Sequence, residues 1–368
     1  MSAPTARVLL VGAGKIGRAV AHLLGDAPEF ELTVCDRDAE ALARVAADSG
    51  APTLVADIAD ARRLGEVTSG YDFVASAAPF HLTPLIATAA RDAGAHYFDL
   101  TEDVQSTRAV KSLAAGATAA LVPQCGLAPG FVSVVAADLA STFDELRSVS
   151  MRVGALPQFP TNALQYNLTW STDGLINEYC NPCEAIVDGE LREVLPLDEV
   201  EHFSIDGVAY EAFNTSGGLG TLCESLLGRV EALDYKTIRY PGHRDIMKVL
   251  VADLRLSRRR ELLKDVLESA VPITYQDVVL VFVTASGIRD GHLTQETFAR
   301  KVYATNVRGR LLSAIQLTTA AGLCTMMDLV REEKLPTVGF VRQEACSLPE
   351  FLANRFGRLY LQGEEIKP

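Results

Sequence analysis

The chain has 368 residues, of which 48% are hydrophobic and 22% charged, which is an ordinary globular composition with room for two domains. Its formal net charge of -13 argues against a nucleic-acid or anionic-membrane partner. No apolar run approaches the roughly 20 residues that a membrane span requires. The seven scattered cysteines indicate reduced thiols, so we expect a cytoplasmic protein without a metal site.

The first predicted element is a short apolar strand, residues 7–11, which runs into a glycine turn. Gly12 permits the tight turn, Gly14 lets the backbone approach a pyrophosphate, and Gly17 lets the following helix pack on the strand. The helix pattern covers 16–24, and its N-terminus offers free N–H groups to phosphates. A dinucleotide site is therefore predicted here.

A second apolar strand, residues 32–36, ends on an acid. The Asp36 carboxylate can accept hydrogen bonds from a free ribose 2′-hydroxyl and should repel a 2′-phosphate, which favours NAD over NADP. Arg37 follows directly and can partly neutralise a phosphate, so we expect NAD with some tolerance of NADP. Lys15 and Ile16, in the first turn of the helix, complete this part of the predicted cofactor site.

Strands and helices continue to alternate. Further helices are predicted at 39–47, 59–67, 81–93 and from 104, with strands at 52–55, 72–76, 95–99 and 119–122. This order predicts an α/β fold, a Rossmann doubly wound parallel sheet, with ligands beyond the carboxyl ends of the strands. The predicted cofactor residues that follow those strands are Asp57, Ala77, Ala78, Pro79, Cys125 and Gly126.

Near residue 142 the sequence pattern changes, and longer strands with tight turns are predicted from there on. Three Asp-Gly pairs, at 188–189, 206–207 and 290–291, predict β-hairpins. Helices are predicted at 219–227, 246–270 and 311–331, the last apolar enough to pack back on the first domain. We therefore predict a Rossmann domain (1–125), an α+β domain for substrate and dimerisation (126–310), and a returning C-terminal segment (311–368).

Several motifs occur in a characteristic order. They are the glycine turn and the segments 97–101 (YFDLT), 125–130 (CGLAPG), 166–171 (YNLTWS), 211–218 (EAFNTSGG) and 238–243 (IRYPGH). With these motifs the chain resembles the saccharopine dehydrogenase-like family, and within it most closely the NAD-dependent L-lysine 6-dehydrogenases. The resemblance runs nearly end to end, and it implies that the C-terminal segment rejoins the Rossmann domain.

The resemblance implies oxidative deamination of L-lysine at the ε-amino group, giving the 6-semialdehyde, which cyclises to 1-piperideine-6-carboxylate, with NADH and ammonia. Two alternatives stay open. The chain can act on a secondary amine, as saccharopine and carboxynorspermidine dehydrogenases or reductases do. Such substrates carry an extra carboxylate, so the arginines at 152, 239 and 244 bear on the choice. A protein of another class, a non-catalytic NAD-binding sensor, is the second alternative.

Deamination needs a free amine, yet a lysine ammonium has a pKa of about 10.4, so a base or a desolvating pocket must release its proton. Asp99 and Glu102, in the loop after the fifth strand, are candidates to attract the amine and relay its proton. Thr101 lies between them as a candidate substrate contact. For Glu102 an equal alternative is that it and Asp103 favour the N-terminus of the next helix, which Thr101 would cap.

His243 follows a Tyr-Pro-Gly turn and is the second candidate proton acceptor, because a histidine pKa near 6.5 suits neutral pH. Arg239 and Arg244 are candidates to clamp the substrate carboxylate. The alternative is a surface turn with solvated charges.

Tyr166, Thr169 and Ser171 lie in a segment whose alternation predicts a strand, with Thr169 and Ser171 on one face. Their hydroxyl groups can bind the α-amino or α-carboxylate group of a substrate, or the segment is an ordinary half-buried strand. Thr215 belongs to a run that can wrap a carboxylate or form a flexible turn. We also expect a homodimer or higher homo-oligomer, with the apolar strand 278–283 as a candidate contact surface.

Overall fold

The computed structural model describes residues 5–362 and 364–365, and the chain divides into two compact units. Unit 1 consists of residues 5–131 and 318–360, and unit 2 consists of 132–317 with the last described residues. Both divisions fall slightly later in the chain than the predicted boundaries after residues 125 and 310. Of the predicted segments, residues 1–4, 363 and 366–368 lie outside the described part of the chain.

The strands are β1 Ala6–Val11, β2 Phe30–Asp36, β3 Thr53–Val55, β4 Phe73–Ser76, β5 His96–Asp99, β6 Ala120–Val122, β7 Glu145–Pro157, β8 Cys183–Val187, β9 Glu190–Val194, β10 Glu201–Ile205, β11 Val208–Asn214, β12 Ala232–Arg239, β13 Asp277–Arg289, β14 His292–Tyr303, β15 Thr305–Val307, β16 Arg310–Leu312, β17 Gly339–Phe340 and β18 Glu364–Glu365. The α-helices are α1 Lys15–Leu24, α2 Ala39–Ser49, α3 Ala61–Thr68, α4 Thr83–Asp92, α5 Val104–Leu113, α6 Phe131–Ala140, α7 Thr172–Cys180, α8 Leu222–Leu226, α9 His243–Lys248, α10 Arg260–Ala270, α11 Ala314–Arg331 and α12 Leu348–Ala353.

Unit 1 contains a seven-stranded sheet in the order β17-β6-β5-β4-β1-β2-β3. Every neighbouring pair in this sheet is parallel, so the carboxyl ends of β1, β2, β4 and β5 lie at one edge. The strand order reverses beside β1, which is the topology of a doubly wound fold. The predicted Rossmann architecture is confirmed, and its helices α1 to α5 begin within three residues of their predicted starts.

Unit 2 is built on a nine-stranded mixed sheet with the path β10-β11-β12-β7-β13-β14-β18, and β8 and β9 join it through β12. All three Asp-Gly pairs connect antiparallel strands, β8 to β9, β10 to β11 and β13 to β14. Both residues of each pair have positive φ, as in Asp188 (53°) and Gly189 (78°). Two-residue hairpin turns require this geometry, so the hairpin predictions are confirmed.

Three predictions about unit 2 were wrong. The predicted helix 246–270 is broken: a π-helical segment follows α9, Arg255 adopts the left-handed conformation (φ 57°), and α10 begins only at Arg260. The segment 166–171 is not a strand, since only Leu168 forms a bridge there, with Ile273. The segment 278–283, proposed as an oligomer surface, lies in β13 between β7 and β14, and its five aliphatic side chains are buried.

Residues 318–360, including most of α11, belong to unit 1. Within this unit Asp328 is almost fully buried and accepts hydrogen bonds from Arg331, Asn354 and Arg355. Arg355 also forms an ion pair with Glu29, just before β2. These contacts attach the late segment to the sheet formed by the start of the chain. No helix within the described ranges is both long and apolar enough to cross a bilayer.

Candidate functional site

The glycine turn after β1 has the geometry that the sequence predicted. Gly12 has φ 108°, and a side chain on it would meet the carbonyl oxygen of Ala77 at 2.8 Å. A side chain on Gly17 would lie 1.9 Å from the Gly12 carbonyl oxygen, so α1 packs there only because residue 17 is glycine. Gly14 is exposed, and a methyl group on it would meet no atom within 4 Å.

The N-terminus of α1 is suited to a phosphate group. Gly14 is the N-cap residue and supplies no side-chain hydrogen bond. The N-terminus of a helix presents N–H groups and the positive end of its dipole to an anion, and the space beside Gly14 is open. Lys15 and Ile16 are half-buried in this first turn. These residues fit the pyrophosphate of a dinucleotide.

Asp36 ends β2 beside the glycine turn. Its Oδ2 accepts the Ala13 N–H at 2.7 Å, and its Oδ1 accepts the Asp38 N–H at 2.9 Å. The carboxylate is thereby held in one orientation and half-buried, while Arg37 is exposed. Asp57 is exposed and accepts the N–H of Ala59 in the turn before α3. Asp36 is thus the acid that the structure fixes at the turn.

The remaining predicted cofactor residues divide into two groups. Ala77, Ala78 and Pro79 follow β4, half-buried or exposed, next to Gly12 at the carboxyl edge of the sheet. Cys125 differs, since its side chain is fully buried; its thiol donates to the Val122 carbonyl and burial raises its pKa well above the usual range. Gly126 is also buried. Cys125 therefore packs inside unit 1 and lines no open surface there, contrary to its predicted role.

Asp99 is the last residue of β5 and only 1% exposed. Its Oδ1 accepts the N–H groups of Thr101 (3.0 Å) and Gln124 (2.9 Å), and Oδ2 accepts neither of them. Burial raises the pKa of Asp99 to about 6, against the opposing effects of the two N–H groups and of the Tyr97 hydroxyl. Tyr97, two residues earlier on the same strand face, has a buried hydroxyl that interacts electrostatically with this carboxyl.

The loop after Asp99 begins the next helix. Asp103, rather than Thr101, is the N-cap residue of α5 and accepts the N–H of Ser106 at 2.7 Å. Thr101 is buried, and its hydroxyl accepts the Asp103 N–H. Glu102 is half-buried. Asp99 and Thr101 are therefore joined by a hydrogen bond, while Asp103 acts at the helix terminus as the alternative interpretation proposed.

In unit 2 the buried side chains of Arg239, Tyr179 and His243 form a connected cluster. Arg239 Nε donates to the Tyr179 hydroxyl oxygen at 2.9 Å, and Tyr179 Oη lies 3.0 Å from His243 Nε2. His243 Nδ1 lies 2.9 Å from the carbonyl oxygen of Leu164. The Arg239 guanidinium also lies over the Tyr166 ring, 5.0 Å from its centroid.

His243 does not have the surroundings of a proton acceptor. It is fully buried, and both ring nitrogens are engaged by Tyr179 and Leu164. Burial, together with the nearby charge of Arg239, lowers the pKa of His243 to about 3. The imidazole is therefore neutral at physiological pH, and its acceptor nitrogen is already occupied. The structure argues against the predicted role of His243 as general base.

The other predicted substrate residues differ in their burial and in their hydrogen bonds. Tyr166 and Thr169 are buried, and their hydroxyl groups interact with each other electrostatically. Thr215 is buried and hydrogen-bonded to Thr237 at 2.7 Å. Ser171 is the N-cap residue of α7, and its hydroxyl oxygen accepts the N–H of Gly174. The Ser171 side chain therefore caps this helix.

Arg244 is engaged elsewhere. Its Nε donates to the Leu197 carbonyl, and its guanidinium pairs with Asp198 and Asp245. Glu211 accepts the backbone N–H groups of Gly242 and Arg244 and so fixes the start of α9. Arg244 is thus part of the protein scaffold, contrary to its predicted role as a carboxylate clamp.

Arg152 is also paired within the protein, forming two hydrogen bonds with Glu201. It stands opposite Lys236 in the ladder between β7 and β12. Because Lys236 and Arg239 are three residues apart in β12, Arg152 and Arg239 point to opposite faces of the sheet. Arg152 cannot act with Arg239 on one ligand.

Sequence reasoning missed Tyr179 and Glu211. Tyr179 lies in the unpredicted helix α7, and no motif feature marked it as a partner of Arg239. Glu211 begins a motif that the sequence did single out, yet its capping of Gly242 depends on the ladder between β11 and β12. No group of three or more acidic, histidine or cysteine side chains suited to a metal ion occurs among the described residues.

The fold and the glycine turn define a dinucleotide-binding protein of the Rossmann class with a second α+β unit. A family model for the saccharopine dehydrogenase NADP-binding domain matches residues 8–122, and one for the saccharopine dehydrogenase C-terminal domain matches residues 126–363. The chain therefore belongs to the saccharopine dehydrogenase family.

Similar proteins agree with this assignment. Saccharopine dehydrogenase [NADP(+), L-glutamate-forming] from Saccharomyces cerevisiae is 24% identical over 259 residues, which cover 66% of this chain and 57% of that protein. The chain thus matches little more than half the length of that relative. The apo structure of saccharopine dehydrogenase (L-Glu forming) from the same yeast superposes with a TM-score of 0.76 at 18% identity, covering 97% of this chain and 96% of that one.

A second solved structure has the same fold. The homospermidine synthase of Legionella pneumophila, solved in complex with NAD, superposes with a TM-score of 0.67 at 16% identity, covering 98% of this chain and 90% of that one. At these identities the two structural matches establish the fold. The substrate and the choice between NAD and NADP must be argued from the residues of this chain.

Proposed function

We propose that this protein catalyses the NAD-dependent oxidative deamination of L-lysine at its ε-amino group. The products are NADH, ammonia and the 6-semialdehyde, which cyclises. The observation that carries this proposal is the state of the three arginines singled out in the sequence. Arg152 and Arg244 form ion pairs with carboxylates of the protein, whereas Arg239 forms no direct ion pair in the described part of the chain. One guanidinium of the three is thus left for a substrate with one carboxylate.

The residues of unit 1 fit NAD. The glycine turn and the N-terminus of α1 would hold the pyrophosphate, and Asp36 would accept a hydrogen bond from the adenosine ribose. When bound, NAD supplies the acceptor for the hydride that leaves the ε-carbon. The fixed carboxylate of Asp36 supports NAD over NADP, because it would repel a 2′-phosphate.

Asp99 is proposed as the base that takes the ammonium proton. An ordinary carboxylate is a poor acceptor, because the pKa of a lysine ammonium, about 10.4, lies far above its own. Raising the pKa of Asp99 from 3.8 to about 6 brings it closer to the pKa of the ammonium. Proton transfer from the ammonium to Asp99 becomes about 3 kcal/mol less unfavourable. Oδ2, which accepts neither of the two N–H groups, is the oxygen that would receive the proton.

The reaction then balances in two steps. Loss of the ammonium proton to Asp99 frees the nitrogen lone pair, and departure of hydride from the ε-carbon leaves the substrate as a protonated imine. Water adds to this carbon, and the nitrogen leaves as ammonium with the formation of the aldehyde. Arg239 would bind the α-carboxylate, with the buried hydroxyl groups of Tyr166 and Thr169 as further donors.

A second candidate is oxidation or reduction of a secondary amine such as saccharopine or carboxynorspermidine, and the names of the two yeast relatives support saccharopine. Such a substrate carries an additional carboxylate and would need another cation besides Arg239.

The test is a screen for NAD and NADP reduction with lysine, ornithine, saccharopine and diamines, followed by NADH absorbance. We expect the largest kcat/KM for lysine with NAD. Reduction with saccharopine and none with lysine would select the second candidate. Tight NAD binding without turnover of any of these compounds would instead support a sensor.

A further inference from the structure

Arg239 is a buried cation whose fixed bonds all go to neutral groups. Its Nε donates to Tyr179 Oη and its Nη1 to the Ile238 carbonyl, both at 2.9 Å. No ion pair with a carboxylate is formed by Arg239 within the described ranges. The charge of the buried Glu178 acts on Arg239 without a direct ion pair. Burying a guanidinium that no carboxylate pairs with directly is costly, so we expect Arg239 to have a function that requires its charge.

The hydrogen bonds that start at Arg239 have only one possible direction. A guanidinium can only donate, so the Tyr179 oxygen accepts from Arg239. The Leu164 carbonyl can only accept, so His243 carries its proton on Nδ1 and its Nε2 is an acceptor. Tyr179 therefore donates its hydroxyl proton to His243 Nε2. The three donors of this hydrogen-bond relay, Arg239 Nε, Tyr179 Oη and His243 Nδ1, therefore all point from Arg239 toward Leu164.

The far end of this relay is itself held in place. Glu211, 3% exposed, accepts the N–H groups of Gly242 (2.9 Å) and Arg244 (2.7 Å), the neighbours of His243. The imidazole lies parallel to the Phe213 ring, with an interplanar angle of 9° and centroids 6.3 Å apart. The histidine therefore has one position and one tautomer, and it fixes Tyr179 in turn.

We infer that Tyr179 and His243 are positioning residues, which hold the Arg239 guanidinium so that its Nη2 edge is presented to the substrate carboxylate. This inference rests on the proposed function only in taking Arg239 as the carboxylate ligand. It replaces a proton-accepting role for His243 with an orienting one and gives a role to Tyr179. Within the described part of the chain, the relay leaves Nη2 as the nitrogen of the guanidinium without a protein acceptor.

A matched pair of substitutions separates the two roles of His243. In His243→Gln the side-chain oxygen can replace Nε2 and accept from Tyr179, whereas in His243→Asn the shorter amide can replace only Nδ1. Tyr179→Phe keeps the ring and removes the hydroxyl group. A positioning role predicts a KM for lysine about 10- to 100-fold higher in Tyr179→Phe and His243→Asn, since a hydrogen bond to a charged group contributes about 1.5–3 kcal/mol.

The same role predicts that kcat stays within about threefold of wild type in these variants. The lost interaction binds the substrate equally in the ground state and in the transition state, so its loss raises KM alone. His243→Gln should have a KM close to wild type. The affinity for NAD and the acidic limb of the pH profile should not move. In an Arg239→Lys background Tyr179→Phe should add little, which makes the two substitutions a coupled pair.

Loss of kcat in both His243 variants together with loss of the acidic limb would overturn the inference. Additive effects of Arg239→Lys and Tyr179→Phe would do so as well. If the wild-type enzyme oxidises another amino acid and not lysine, lysine is refuted as the substrate. The positioning role of Tyr179 and His243 can then be tested on that amino acid with the same variants. A readout independent of turnover is ¹⁵N NMR of the histidines: His243 should remain the neutral Nδ1–H tautomer between about pH 5 and pH 9. Titration of His243 near its ordinary pKa would overturn the inference.

Discussion

Replacing Asp99 by Asn should change stability and turnover in opposite directions, with a characteristic pH dependence. The folded pKa of Asp99 is about 6, against 3.8 for the unfolded reference. Below about pH 3.8 the carboxyl is protonated in both states and costs nothing, whereas above about pH 6 it is ionised in both and opposes folding by about 3 kcal/mol. Asn carries no charge at any pH, so Asp99→Asn removes this penalty.

The effect of Asp99→Asn on the free energy of unfolding is best compared between two pH values. Any effect of the amide that does not depend on pH then cancels. For pKa values of 3.8 and 6, the penalty on the wild type grows by about 1.4 kcal/mol between pH 5 and pH 8. The stability of Asp99→Asn relative to wild type should rise by this amount over that interval. Urea unfolding followed by circular dichroism at both pH values measures it, provided that the m-value is unchanged.

Turnover supplies the second measurement. Loss of the proposed base should lower kcat by about 10²- to 10⁴-fold with little change in NAD affinity. Asp277→Asn is the matched control: Asp277 is buried, its pKa is also raised to about 6 by burial, and it binds the N–H groups of Ala314 and Ile315 at the start of α11. It should show the same pH-dependent gain with normal kcat. A flat stability difference for Asp99→Asn, or wild-type turnover, would refute the reasoning.

Three further outcomes are expected. Asp36→Ala should raise the ratio of NADP to NAD kcat/KM by about tenfold or more, measured by steady-state kinetics, because the like charge beside a 2′-phosphate is removed; an unchanged ratio would count against Asp36 as the selector. Gly322→Ala should lower stability by about 1–3 kcal/mol in urea unfolding, because its methyl group would meet the Cys125 carbonyl oxygen at 2.6 Å, and neutrality would show that α11 can shift. Arg244→Ala should lose its ion pair with Asp198 and about 1 kcal/mol or less of stability while the KM for lysine stays the same; a large rise in KM would restore it as a substrate ligand.

Local signals were enough to predict much of the fold. The Rossmann alternation and the Asp-Gly turns could be predicted because a glycine turn or a two-residue hairpin is determined by its own few residues. The break in the predicted helix 246–270 could not, since Val251 and Leu263 are buried in one core on either side of Arg255, which adopts a left-handed conformation. That conformation costs an L-residue about 1–2 kcal/mol, and only tertiary packing can offset it.

The candidate site was predictable in its residue types and less so in their roles. Asp99 and Arg239 were singled out from motifs, but the raised pKa of Asp99 follows from burial, which no pattern reports. His243 was interpreted from its ordinary pKa, whereas its surroundings depend on Tyr179 and Leu164, which are 64 and 79 residues distant in the chain. Long-range hydrogen bonds of this kind decide which histidine can accept a proton.

The discontinuity of unit 1 sets an order of events during synthesis. The strand β17, which pairs with β6, and the cluster around Asp328 are translated only after all of residues 132–317. Until then the sheet has six of its seven strands, and β6 presents an open edge capable of pairing with another chain. The nascent protein must therefore keep this edge unpaired while the whole of unit 2 is made, which is the interval in which a chaperone would be of most use.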